Sequence, residues 1–296
     1  MKIAVTAILF TGIAAMMATG VAAEPWKIDA NASLSTALNT YSDDWTGGEA
    51  GSFTWTSQFL GTAERQISKS WNSKATLKLQ FGQTKLQNNS TKHWSAAVKS
   101  TDLIDGEELL RATLGSFVDP FVSVRAISQF VDGSDSLLVR YGNPWDITEA
   151  LGGSRTLRKS ATIDWSTRIG VAARQLVDRD KPDSTGSRAT DLTNDGGVEF
   201  DMDLNAATAQ KWVTLLSSLR LYDALVSSKA DALKGTPGEN YWRYPHMKWE
   251  NTLTLAIAKY LMLDISAYAY YDRDISNEVR LKETFSAGLT YIYSRK

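Results

Sequence analysis

Along most of this chain apolar and polar residues alternate one for one, in stretches of roughly ten residues. A period of two throws successive side chains to opposite faces of an extended strand, so each stretch carries one apolar and one polar face. Near the C-terminus Phe285, Ala287, Leu289, Tyr291 and Tyr293 share one parity, and Thr284, Ser286, Gly288, Thr290 and Ser294 take the other, with Ile292 as the exception. Leu261, Leu263, Ile265, Ala267, Ala269 and Tyr271 likewise oppose Asp264, Ser266, Tyr268, Tyr270 and Asp272. In the first half, Trp71, Ala75, Leu77, Leu79 and Phe81 oppose Asn72, Lys74, Thr76, Lys78 and Gln80. The pattern marks 12 strands, near 26–38, 51–64, 70–83, 103–115, 120–131, 149–158, 162–176, 197–207, 211–225, 247–258, 261–272 and 282–294. The sixth alternates least well, because Gly152-Gly153-Ser154 interrupts it.

The connections add a second constraint. Long ones fall near 39–50, 84–102, 132–148, 177–196 and 226–246, with a shorter one at 273–281. Short ones fall between them, near 65–69, 116–119, 159–161, 208–210 and 259–260. Strict alternation places every long connection at one end of the sheet. A soluble sandwich can share the apolar/polar period, but nothing in it gathers its long loops at one end. An even number of strands with short turns at one end and long loops at the other is the pattern of an outer-membrane barrel. The expected fold is all-β, a single antiparallel transmembrane β-barrel of about 12 strands. An exported soluble β-sandwich that binds a ligand is the alternative.

Residues 1–23 have the layout of a secretory signal: one Lys, an apolar run, then Val21-Ala22-Ala23 as a small-residue cleavage site. Residues 24–296 then form one barrel domain, expected in the bacterial outer membrane. Its partners would be outer-membrane lipid and the general barrel-assembly machinery. Further exclusions come from composition. A net charge of −1 without a basic tract argues against nucleic acid. The chain has no Cys, which excludes disulfides, thiol catalysis and Cys-based zinc sites. After the signal there is no apolar run of about 18 residues, so no transmembrane helix is expected. No cofactor, metal or specific ligand is legible.

Aromatic placement follows the same parity. Trp26, Trp71 and Trp165 open strands on the apolar face at the short-turn end, and Trp55 and Trp249 do so at the long-loop end. They would form the two interfacial girdles of a barrel. Trp212 has the wrong parity and suits a turn.

The polar faces would line the lumen. They carry Lys27, Asp29, Lys74, Lys78, Asp105, Glu107, Arg111, Arg125, Asp164, Arg168, Arg174, Glu199, Asp201, Asp203, Arg220, Lys248, Glu250 and Asp264. Both signs are present, so pairing across a wet interior accounts for most of them. Two groups depart from balance. Lys74 and Lys78 share one strand, and Glu199, Asp201 and Asp203 form an acidic ladder at consecutive lumen positions. Like charges about 7 Å apart repel and need partners, for which Arg168 and Arg174 on the preceding strand are placed. A selectivity stripe for a charged solute is the functional reading.

Enzyme chemistry would have to use His93 or His246. His93-Trp94-Ser95 repeats the His-x-Ser triplet of outer-membrane phospholipases. It falls in a long connection rather than on a strand, so a lipid-modifying enzyme using His93 and Ser95 is the second class of function, and the first is a non-enzymatic barrel, either a narrow passive channel or a structural or surface-contact barrel. Tyr241-Trp242-Arg243-Tyr244-Pro245-His246 could stack on sugars or cap the barrel mouth.

At the first long loop the sequence reads Asp43-Asp44-Trp45-Thr46-Gly47-Gly48, followed by Phe53-x-Trp55 and by Trp71-Asn72 leading to Phe81-Gly82. With Asn143-Pro144 and Gly152-Gly153, this resembles an uncharacterised bacterial family of outer-membrane barrels, a domain of unknown function with a Trp-Gly-Gly loop. The resemblance marks Trp45, Gly47 and Gly48 as its loop motif and implies location and fold, with no catalytic residues. Barrels of this kind end on an aromatic residue read by the assembly machinery. Here Tyr293 lies three residues before Lys296.

Overall fold

The structure is a computed structural model that describes residues 24–42, 50–183 and 185–295. The candidate signal 1–23 and the Trp45, Gly47 and Gly48 motif lie outside the described residues. Twelve strands form the wall: β1 Lys27–Asn39, β2 Ser52–Ser68, β3 Trp71–Leu86, β4 Val98–Ala112, β5 Asp119–Ser128 and β6 Trp145–Lys159. They continue as β7 Ile163–Pro182, β8 Arg188–Ala207, β9 Val213–Ser227, β10 His246–Ala258, β11 Leu261–Tyr271 and β12 Arg280–Arg295. Each pairs antiparallel with its chain neighbours, and β1 pairs with β12 from Ile28↔Arg295 to Thr36↔Ala287, so the sheet closes. Closure leaves no free edge, the condition for a sheet to lie in hydrocarbon.

The faces divide as the period requires, and they are inside out. Leu151, Ile169, Phe285 and Leu289 are 59%, 62%, 67% and 62% exposed on the outer face. In a sandwich these residues would meet a second sheet and be buried. Here a belt of them surrounds the wall, as lipid contact demands. The soluble-sandwich alternative is thereby set aside. Trp165 and Trp249 are exposed on this outer face. Trp26 is half-buried under the Arg65 guanidinium at 5.6 Å, and Trp55 packs on Phe81 at 5.9 Å between centroids. Trp71 opens β3, and Trp212 is exposed in the turn before β9.

Two expectations take a sharper form. The segment 177–196, expected as a solvated loop or hairpin, is a hairpin: β7 and β8 run 20 residues each, and a turn between Pro182 and Arg188 joins them. Its polar residues pair across the ribbon, as Lys181 and Asp191 do at 2.7 Å. A span needs only about 9–11 residues, so this arm projects beyond the barrel, where polar residues on both faces are solvated. The weak sixth strand is instead a long one, Trp145–Lys159. A Cβ on Gly152 would lie 2.1 Å from the Ile169 carbonyl oxygen, and one on Gly197 would lie 2.1 Å from that of Asp223. Neighbouring backbones come close there, and only glycine leaves room for that approach. The alternation fails because the close approach excludes side chains.

Gly152→Val should therefore abolish the heat-sensitive gel shift that reports a folded barrel. Gly106→Ala is the control, since a Cβ there meets nothing closer than the Leu77 Cδ1 at 4.0 Å. Its shift should match the unsubstituted chain.

Candidate functional site: a lumen divided by ion pairs

The pleat turns the charged residues of β3 to β10 inward, where they must find partners or water. Asp201 on β8 lies in register with Arg168 on β7 and Arg220 on β9. Arg220 donates to it at 2.9 Å, and the Arg168 guanidinium stands 3.1 Å from its other oxygen. The same two arginines reach Glu107 on β4, at 2.7 Å from Arg168 and 3.2 Å from Arg220. Asp201 is 1% exposed and Arg168 5%. β4 and β9 lie five strands apart in the closed order, so the Arg220–Glu107 contact is a chord across the lumen.

A second chord crosses nearby. Lys78 on β3 pairs with Glu250 on β10, again five strands apart. Tyr270 donates to the other Glu250 oxygen at 2.8 Å. Arg125 clamps Asp105 with two bonds, its Nε donating at 2.7 Å. The lumen is thereby split into two chambers. One, of about 360 Å³, opens toward the short-turn end, and one of about 510 Å³ opens toward the long-loop end. Gln58, Gln80, Asp105, Arg125 and Glu250 line both, so these residues mark the level at which the two chambers meet.

The other candidate residues fall around this frame. Arg168 is the partner foreseen for the acidic ladder. Arg174 is not: it makes a bidentate pair with Asp146 on β6, at 3.0 and 2.8 Å. The spacing rule chose the strand correctly but not the neighbour, because Asp146 and Arg174 lie near the long-loop end while Asp201 lies deeper. Asp203 accepts from the Ser218 hydroxyl at 2.9 Å and lines the short-turn chamber. Glu199 is half-buried, opposite Gly170 and Tyr222. Lys74 lines the short-turn chamber, and no carboxylate among the described residues lies within 4.0 Å of it. The hub Glu107 carried no special signal in the sequence. Its role comes from a contact 61 residues away to Arg168 and 113 to Arg220.

The loops bear on two further readings. The β9–β10 connection folds inward and buries Trp242 to 9% exposure against Tyr222, Ala224, Ala150 and Ala172. Alanine on those inner faces leaves room for the indole, so this segment caps the lumen. His93 lies exposed in the β3–β4 connection. The Ser95 hydroxyl accepts from the Leu86 N–H at 3.0 Å and donates to the Ala96 carbonyl at 2.9 Å. That hydroxyl holds a turn, and His93 makes no hydrogen bond to it. At the long-loop mouth His246, Asp272 and Asp274 bring one ligand atom each within 4.8 Å of one another. The Arg174 guanidinium stands 3.5 Å from the His246 Nδ1 that would face an ion, and its charge opposes a cation there.

Asn143 is fully buried between the β5–β6 connection and the projecting arm. It donates to Asp132 at 3.0 Å and Asp178 at 2.8 Å, and accepts from the Arg179 N–H at 2.8 Å. Arg140 binds the same two carboxylates. This knot ties the long connection to the wall.

The chain is thus a closed barrel with a lipid-type outer face and a polar, partitioned interior. No protein-family model and no curated protein matches the sequence. Among solved structures it is similar to an outer membrane channel from Pseudomonas putida F1, at 12% identity over 94% of this chain and 97% of that one, with a TM-score of 0.44. It is also similar to the translocator domain of the autotransporter NalP from Neisseria meningitidis, at 11% identity, 97% and 94% coverage and a TM-score of 0.36. A third is the OprB protein of Pseudomonas putida in its high pH structure, at 11% identity, 92% and 94% coverage and a TM-score of 0.28.

Breaking a buried pair from one side leaves an uncompensated charge, at a cost of about 3–5 kcal/mol. Glu107→Gln is expected to destabilise the refolded barrel by that amount in urea unfolding, whereas Lys74→Gln, which breaks no pair, should leave the transition in place.

Proposed function

We propose that the chain is a bacterial outer-membrane barrel and acts as a narrow passive channel. The observation that carries the reading is the lumen itself: two solvent-lined chambers separated by a thin layer of ion-paired side chains. A barrel serving only as a membrane anchor has no need of chambers on both sides of its constriction. Flexible chords such as Lys78–Glu250 can part and close, so water and small ions pass while larger solutes are held. The candidate signal at residues 1–23 and the outward apolar belt support export and insertion. Outer-membrane lipid and the assembly machinery are the partners this implies. The His93–Ser95 hydrolase is the weaker reading, since Ser95 is committed to its turn.

The test is single-channel conductance of the refolded chain in a planar bilayer. The unsubstituted barrel should show small, steady openings. Lys78→Ala combined with Glu250→Ala removes both ends of one chord, leaves no orphaned charge, and should raise the conductance severalfold. A barrel that shifts on heating yet is silent in both forms would remove the channel reading.

A further inference from the structure

The long-loop chamber holds a combination that the ion-pair network does not use. Tyr268 and Tyr270 both face inward from β11, with ring centroids 6.2 Å apart and planes 7° from parallel. Lys248 stands opposite Tyr270 on β10, and Lys282 stands opposite Tyr268 on β12. Both lysines line the chamber. No carboxylate among the described residues lies within 4.0 Å of either ammonium, and the one bond Lys282 makes is a long one, 3.4 Å, to the Ser100 carbonyl. The acids of this chamber are all engaged: Asp105 by Arg125, Glu250 by Lys78, and Asp102 by Lys99 and the N–H groups of Phe130 and Val131. Two lysines without an ion pair among the described residues therefore flank the stacked tyrosine rings. Around them the wall is rich in hydroxyls, among them Thr54, Thr56, Ser266, Thr284 and Ser286.

Each part selects a chemical feature. The stacked rings offer apolar area to the C–H face of a sugar ring. The hydroxyls exchange hydrogen bonds with sugar hydroxyls at little desolvation cost. The half-buried Lys248 and the exposed Lys282 both favour a carboxylate, and a charge-assisted bond is roughly twice as strong as a neutral one. A chamber of about 510 Å³ admits a single monosaccharide. We infer that the long-loop chamber binds a monoanionic sugar acid, with the ring on Tyr268 and Tyr270 and the carboxylate between Lys248 and Lys282. The inference deepens the channel reading and rests on it for its biological meaning, though not for its test.

Binding is measured by calorimetry on the full chain refolded in detergent, with D-glucuronate, D-glucose and benzoate as the probes. Glucuronate should bind more tightly than either of the others. Lys248→Gln should weaken it about tenfold, the loss of one charge-assisted hydrogen bond, while leaving glucose unchanged. Tyr268→Leu with Tyr270→Leu should weaken glucuronate and glucose alike. Among the described residues no carboxylate lies within 4.0 Å of Lys248, so its replacement breaks no ion pair, and the heat-sensitive gel shift checks each variant. A folded barrel that ignores glucuronate, prefers benzoate, or binds glucuronate equally well without Lys248 overturns the inference. Conductance separates the two readings. A barrel that binds glucuronate but never conducts keeps the site and loses the channel, and one that conducts without binding loses the site alone.

Discussion

Every feature of this molecule depends on the hydrogen-bonded seam between β1 and β12. A backbone N–H or C=O left unpaired in hydrocarbon costs several kcal/mol. A sheet therefore has only one way to lie in a membrane, which is to close. The seam runs from Ile28↔Arg295 to Thr36↔Ala287 and turns an open sheet into a wall without edges. Once the wall is closed, the period of two has no freedom left. One face must turn outward, and the other must enclose whatever the sequence puts there. At Gly152 and Gly197 the neighbouring backbone comes so close that no Cβ fits.

The inner face then sets the second condition. A 12-strand barrel is too wide for side chains of one strand to fill and too narrow for a wide aqueous pore. Long charged side chains are suited to this width, because they reach across and meet a partner. Arg220 with Glu107 and Lys78 with Glu250 do this from strands five apart. Arginine at the hub allows two carboxylates to share one guanidinium, which lysine could not do with the same geometry. The result is a lumen with a thin polar partition rather than a packed core or an open tube. Residues outside that partition are free for other tasks, and the lysines and tyrosines of the long-loop chamber are the clearest instance.

The wall was legible because strand parity is a local property. The 12 strands, the outer-face position of Trp165 and Trp249 and the inward charges of the ion-pair layer could be read from residues two apart. What escaped was set by contacts between distant parts of the chain. Glu107 is one acid among many until the barrel closes and brings two arginines to it. Arg174 was matched to the wrong acid because parity gives the face of a residue but not its height along the lumen. The projecting arm reads equally as a loop or a hairpin because its Asp and Lys residues look solvated, which they are; the ladder that decides for the hairpin is invisible to a hydropathy pattern. Trp242 sat in a segment that could cap or recognise, and only the alanines of the facing strands decide for capping.

The central claim is that a layer of ion pairs divides the lumen. Single cysteines test it directly, because the chain has none of its own. Thr56→Cys places a thiol in the long-loop chamber and Thr252→Cys places one in the short-turn chamber. In a barrel inserted with its long loops facing the reagent, a bulky, membrane-impermeant thiol reagent is added from that side only. The account predicts rapid modification at position 56 and slow modification at position 252. The difference should vanish when Lys78 and Glu250 are both replaced by Ala. Equal, rapid modification at both positions in the otherwise unaltered barrel would contradict it.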